Sequence, residues 1–256
     1  ISIVGFFIFY NSAFAYGIEV HAYITKEALD FYNARVSQKK IEKTLATYLI
    51  EGARHEDDVP RWMNHFYDPV YNRGLTDPLL SSWQASKYWA HDRVTQTSLL
   101  YKSAAALASL FSSFDDAYLK ELEKETDFTW EQALEYWRNG EKEKALYALG
   151  HVLHLIEDAS VPDHTRNDPH PGDIPYENWT RQFTLESPDK GFPKRIAGKG
   201  IIILKDLDAY FDAIANYSNN NFYSKDTIGI QEGYENPVPD EAPLLRGERY
   251  YAVTTN

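Results

Sequence analysis

There is no cysteine among the 256 residues, which excludes a disulfide framework and any thiolate metal site; a zinc ion would have to be held by histidine and carboxylate. Basic residues are in the minority, 26 against 38 acidic ones, and the net charge of −12 argues against wrapping nucleic acid or an anionic membrane with basic patches. It does not exclude an anionic substrate bound through cations, since each divalent ion reverses the local field. No uninterrupted apolar run reaches the ~20 residues of a membrane span, so a multi-spanning protein is excluded as well. There is no G-x-S-x-G nucleophile elbow. There is no HExxH either, because Val59 stands where the second histidine after His55-Glu56 should be, and Gly198-Lys199-Gly200 lacks the rest of a phosphate-binding loop. What is abundant is aromatic: 19 Tyr, 13 Phe and 6 Trp, enough with the aliphatics for one sizeable core.

The segment Ile1–Tyr10 is almost wholly apolar and leads through Asn11-Ser12 to Ala13-Phe14-Ala15, the form of a secretory signal with an A-x-A cleavage site. Residues 1–15 are therefore expected to be a signal-peptide remnant, the chain starting inside the signal. The protein is expected to be secreted or periplasmic, with Tyr16 as its mature N-terminus. The alternative is a buried N-terminal helix or strand. From there to residue 232 the periodicity predicts an all-α fold, a single compact multi-helix domain. Helices are expected over His21–Arg35, Ile41–Ala53, one long Ala-rich stretch from Ser82 to Phe114, Asp115–Glu125, Thr129–Arg138, Glu141–Ala159, Tyr176–Leu185 and Leu204–Tyr223. Thr129 with Gln132 three residues on forms a capping box. Val59–Pro78 and Asp163–Pro175 read as loops. Residues 233–256 read as a Pro-rich tail, with Arg249–Thr255 resembling the start of a strand.

The chemistry concentrates in GHVLHLIEDASVPDHT. His154 and Asp158, four apart, share a helix face, and His164 follows a turn enforced by Pro162. Burying two imidazoles and a carboxylate on an apolar helix is costly unless a cation coordinates them, and this donor set suits zinc. The competing reading is a helix C-terminus where histidine favours the dipole and Asp158 is merely solvated. His151, one turn earlier, reads as a supporting or core residue. Other candidates are His21 at the first helix, Asp57 and Asp58 in GARHEDD, His65 in NHFYDP and Glu177 in PYENW. Each alone is weak: HEDD is as readily a solvated charge run, and HFYDP an aromatic turn.

Taken together these strings resemble the zinc-dependent phospholipases C and their relatives, the zinc-dependent single-strand nucleases. The resemblance covers roughly 16–179 and rests on five anchors in the same order. They are an aromatic N-terminus followed by an early helical histidine (Tyr16 and His21, with Tyr where the family has Trp), G-A-x-x-x-D (Gly52–Asp57), HFYDP (His65–Pro69), L-G-x-x-L-H-x3-D-x5-H (Leu149–His164), and H-x3-E before Asn (Glu177-Asn178). In the last anchor Asp173 replaces the histidine; a carboxylate can serve as ligand, or His170 can take its place. The resemblance implies up to three zinc ions. One would be held by Asp57, His65, His154 and Asp158, a second by His164, Glu177 and Asp173, and the third by the amine and carbonyl of Tyr16 with His21, sharing Asp158. It also implies hydrolysis of a phosphate ester with P–O cleavage, with Asp57 orienting or deprotonating the attacking water. HFYDP and the PYENW end point to the phospholipase C branch and a phospholipid substrate, with transient contact at a membrane surface. The short Tyr16–His21 spacing points to the nuclease branch and single-stranded nucleic acid. A catalytically weak metal-binding helical module is the third reading.

Overall fold

The computed structural model describes residues 17–77, 81–109, 117–122, 124–169, 175–184, 202–222, 224 and 227. The expected signal remnant, Tyr16, Asp173, His170 and the tail lie outside the described residues. The described chain is mostly helical, as the periodicity predicts. In order come α1 (Gly17–Arg35), α2 (Lys43–His55), a 3-10 turn (Arg61–Asn64), the two-residue strands β1 (Thr76–Asp77) and β2 (Ser81–Ser82), then α3 (Ser86–Trp89), α4 (Arg93–Gln96), α5 (Leu99–Ser109) and α6 (Ala117–Leu122). They are followed by α7 (Trp130–Arg138), α8 (Lys142–Asp158), α9 (Pro162–Thr165), α10 (Pro175–Thr184) and α11 (Leu207–Asn221). The strands pair antiparallel, Thr76 opposite Ser82. No helix among the described residues is long and apolar enough to cross a membrane.

The long helix expected over 82–114 is broken into three. Asp92 caps α4, its carboxylate accepting the Thr95 amide at 2.9 Å, and the Gln96 side-chain amide donates to the Trp89 carbonyl at 2.9 Å. These side-chain bonds offer the backbone local partners that compete with a continuous helical ladder. The polar segment after Val161 is likewise not all loop: Pro162 begins the short α9, as proline at the first helical position is suited to do. Only half of the capping box forms: Thr129 Oγ1 accepts the Gln132 amide, but the Thr129 amide donates to Asp127 Oδ1 and the Gln132 side chain is taken by Arg93.

Helix α8 is the axis of the fold. It packs against α2, α7, α1 and α11 and joins three apolar clusters. Leu146 meets Leu29 and Leu49 on one side; Tyr147 and Ala148 meet Phe128, Leu119 and Leu122 on another; Val152 and Leu155 meet Trp89, Phe211 and Ala215 on the third. Its contact with α2 is backbone to backbone. A Cβ added at Gly52 would lie 2.0 Å from the Tyr147 carbonyl oxygen, and one at Gly150 would lie 2.2 Å from the Leu49 carbonyl oxygen. Only glycine permits this approach. It presses the C-terminal half of α2, which Asp57 follows, against the middle of α8, whose last turns carry His154 and Asp158.

Candidate metal centre

Five stretches of chain deliver six side chains to one buried point. α1 supplies His21, the residues after α2 supply Asp57, the residue that caps the 3-10 turn is His65, α8 supplies His154 and Asp158, and α9 supplies His164; none is more than 2% exposed. Asp158 organises them. Its Oδ2 faces His65 Nδ1 at 2.9 Å and His154 Nε2 at 3.3 Å, while its Oδ1 faces His21 Nε2 at 3.4 Å and His164 Nδ1 at 3.7 Å. Asp57 Oδ1 adds a second carboxylate, 3.5 Å from His154 Nε2 and 3.6 Å from His65 Nδ1. Two sets of donor atoms lie within 4.8 Å of one another, His21, His154 and Asp158 in one and Asp57, His65 and His154 in the other.

Hydrogen bonds on the far sides of the rings decide what faces inward. His154 Nδ1 donates to the Ala53 carbonyl at 2.6 Å, and His65 Nε2 donates to the Glu56 carbonyl at 3.1 Å. A carbonyl can only accept, so in the neutral ring the nitrogen left facing Asp57 and Asp158 carries a lone pair. Lone pairs thus meet carboxylate oxygens. Among the described residues, His65 Nδ1, His154 Nε2 and all four oxygens of Asp57 and Asp158 have no aligned hydrogen-bond partner. Orphaned buried acceptors of this kind are costly, and a divalent cation between them removes the cost. Imidazole and carboxylate donors whose second ring nitrogen is pinned from behind are the arrangement that metal sites use. The residues therefore fit a metal ion. His154 offers one inward nitrogen to both sets, so a single ion takes it. On the other side Asp158 Oδ1 faces both His21 Nε2 and His164 Nδ1; Tyr16, which the resemblance adds there, lies outside the described residues.

The electrostatics follow from burial and crowding. Burial opposes ionisation of Asp158, yet the surrounding His154, His65 and His164 hold its carboxyl well below the usual range. Burial dominates at Asp57 and pushes its carboxyl up, the neighbouring histidines offsetting only part. Burial would lower His21, but Asp158 and Glu157 outweigh it and raise the ring to about 10; His65 is raised by Asp158, Asp57 and Glu56 against the same opposing burial.

The solvated-charge-run reading of HEDD fails for Glu56 and Asp57, which are 0% and 2% exposed. Glu56 is not among the candidates read from HEDD, yet it is as deeply buried as the cluster itself. Its carboxylate accepts from Trp89 Nε1 at 2.8 Å, from His151 Nδ1 at 2.7 Å and from Arg61 Nε, and Arg61 lies 5.2 Å from the ring centres of both Trp89 and Phe128. Burial opposes its charge, but Arg61 and His151 hold it near pH 2. This knot ties Glu56 to Arg61 across the stretch between Asp57 and His65, and it takes in His151, expected as a supporting or core residue, which is buried and stacked on Phe128 at 4.2 Å. HFYDP both contributes a donor to the cluster and makes a turn. His65 enters the cluster, Phe66 stacks on His164 at 4.2 Å, and Asp68 closes the turn by accepting from the Val70 amide and Arg73 Nε. Glu177 falls on α10, its side chain outside the described residues, so the expected Asp173–Glu177 ligand pair lies there too. Comparison with protein-family models and with curated proteins returns no match for the chain.

Proposed function

We propose that the chain is a secreted zinc-dependent phosphoric ester hydrolase of the phospholipase C type, cleaving a phospholipid phosphodiester. One observation carries this reading: the strings that resemble that family lie far apart in sequence, and His21, His65, His154 and His164 meet around the two oxygens of Asp158, with Asp57 against His65 and His154. Asp57, His65, His154 and Asp158 would hold one zinc; His164 and His21 would serve the neighbouring positions with Glu177, Asp173 and Tyr16. Zinc at such a site supplies positive charge for a phosphoryl oxygen and makes hydroxide accessible near neutral pH.

Asp57 divides its work between its two oxygens. Oδ1 points at His65 and His154, which leaves Oδ2 to orient the attacking water and accept its proton. As a zinc ligand that carboxylate would be a weaker base than a free one, so orienting the water would be the larger part of its role. Attack of the water oxygen on phosphorus would then form one P–O bond and break the other, the departing alkoxide taking up a proton from solvent to leave as the alcohol.

The test uses the mature chain beginning at Tyr16 with a free amino terminus. Elemental analysis is expected to find zinc, and a chromogenic phosphatidylcholine analogue is expected to be hydrolysed, with activity lost to a chelator and restored by zinc. Cleavage of single-stranded DNA instead would select the nuclease branch. Zinc without either activity would leave a metal-binding helical module, and absence of any bound metal would overturn the reading at its base.

A further inference from the structure

Three of the rings, those of His154, His65 and His21, are pinned from behind in two different ways. His154 and His65 donate to main-chain carbonyls, whereas His21 Nδ1 donates to a side chain, Glu157 Oε2, at 2.7 Å. The other oxygen of that carboxylate, Oε1, accepts from Thr25 Oγ1 at 2.8 Å. His21 and Thr25 are one turn apart on α1, and both are 0% exposed. Glu157 precedes Asp158 on α8, on the turn that follows His154. One carboxylate on α8 therefore takes two donors from successive turns of α1, fixing the rotation of α1 about its axis as well as the plane of the His21 ring. The ring so held stacks on His154, centres 3.6 Å apart and planes 16° apart, with Nε2 directed at Asp158. No motif singled out in the sequence contains Glu157 as a functional group.

We infer that Glu157, braced by Thr25, is a positioning residue for metal binding: it holds His21 with Nδ1 protonated and Nε2 turned toward the ion shared with Asp158. The inference rests on the reading of the cluster as a metal centre. A carboxylate behind a ligating imidazole fixes its orientation and raises its donor strength, and loss of such a partner weakens metal binding by roughly 10- to 100-fold.

Zinc affinity, measured by competition with a chromophoric chelator, tests it. Glu157→Ala is expected to weaken binding of the most sensitive zinc by roughly 10- to 100-fold, while the metal-free protein keeps its helical circular dichroism. Glu157→Gln keeps the size and one acceptor oxygen and is expected to fall between wild type and alanine. Thr25→Val removes one donor without changing volume and should produce a smaller loss than Glu157→Ala. The deciding measurement is a double-mutant cycle. In a His21→Ala background, Glu157→Ala should cause no further loss, whereas a contact that only stabilises the fold would subtract the same amount in either background. The histidine nitrogen spectrum of the zinc-loaded protein adds a direct readout: the slowly exchanging His21 Nδ1–H is expected in wild type and absent in Glu157→Ala. Unchanged zinc affinity in Glu157→Ala, or an undiminished effect without His21, would overturn the inference while leaving the metal centre standing. A wild-type protein that binds no zinc would overturn both.

Discussion

His154 meets the cluster from the centre of the fold, 0% exposed, and Asp158 is the one residue whose two oxygens address four imidazoles. Replacement of either by alanine is expected to abolish bound zinc and, because metal binding is coupled to folding, to lower the thermal midpoint of the loaded protein toward that of the metal-free form. Elemental analysis beside a melting curve checks it, and an unchanged zinc content would refute it. Glu56 makes a different kind of prediction. It touches no inward-facing donor with its carboxylate, but its loss leaves the Arg61 guanidinium buried without its counter-charge. Glu56→Gln is accordingly expected to destabilise by roughly 3–5 kcal/mol in urea unfolding. At this scale the sequence was partly readable. The i, i+4 spacing of His154 and Asp158 announces a shared face, and the structure honours it at 3.3 Å. Glu56 and Glu157 were not readable as partners, because their charges are matched by residues far along the chain: His151 lies 95 positions from Glu56, and His21 lies 136 from Glu157.

Among the elements, α2 and α8 matter most, and the glycines between them define their distance. Gly150→Ala forces a methyl group into the Leu49 carbonyl and the Ala53 amide; backbone on both sides cannot swing away as a side chain would. The expected cost is about 1–3 kcal/mol, the range of overpacked cores. Zinc affinity should fall as well, since Ala53 carries the carbonyl that orients His154. If calorimetry found Gly150→Ala as stable as wild type with undiminished zinc binding, the close helix contact would not be what aligns the ligands. The helices with strong periodicity or a clear cap, α1, α2, α7, α8 and α11, were legible from apolar spacing and from Thr129. The break of residues 82–114 into α3, α4 and α5 was not. Periodicity cannot register that Asp92 and Gln96 spend their side chains on local backbone groups. Nor could the apolar stripe on α8 show how central that helix is, since Leu149, Leu153 and Ile156 are only half-buried while its histidines, alanines and Gly150 lie wholly inside.

For the molecule as a whole, the excess of acid shows at the rim as well as in the centre. α11 is tied to α3 by Asp212, which accepts from Lys87 Nζ at 2.7 and 2.8 Å and from Tyr67 Oη at 2.6 Å. Partial burial pushes the Asp212 carboxyl up, but those donors outweigh it and leave it below its ordinary value of 3.8. A carboxyl depressed by folding stabilises fully above its unfolded value, and its share drains away as pH falls through the lower, folded one. Asp212→Asn should therefore be less stable than wild type at pH 7 and converge on it as pH drops below 3.8. The gap at neutrality should be no more than about 1 kcal/mol, because the group is 45% exposed and solvent screens it. Urea titrations at a series of pH values check this, and a gap that widened in acid would contradict it.

The carbonyls of Ala53 and Glu56 belong to the chain itself, so no codon change at either position deletes the acceptor that aims His154 or His65. The grip on His21 is different, since it hangs on one replaceable carboxylate. Drift can thus loosen or tighten that corner of the centre while the other two rings stay insulated from point substitution behind them.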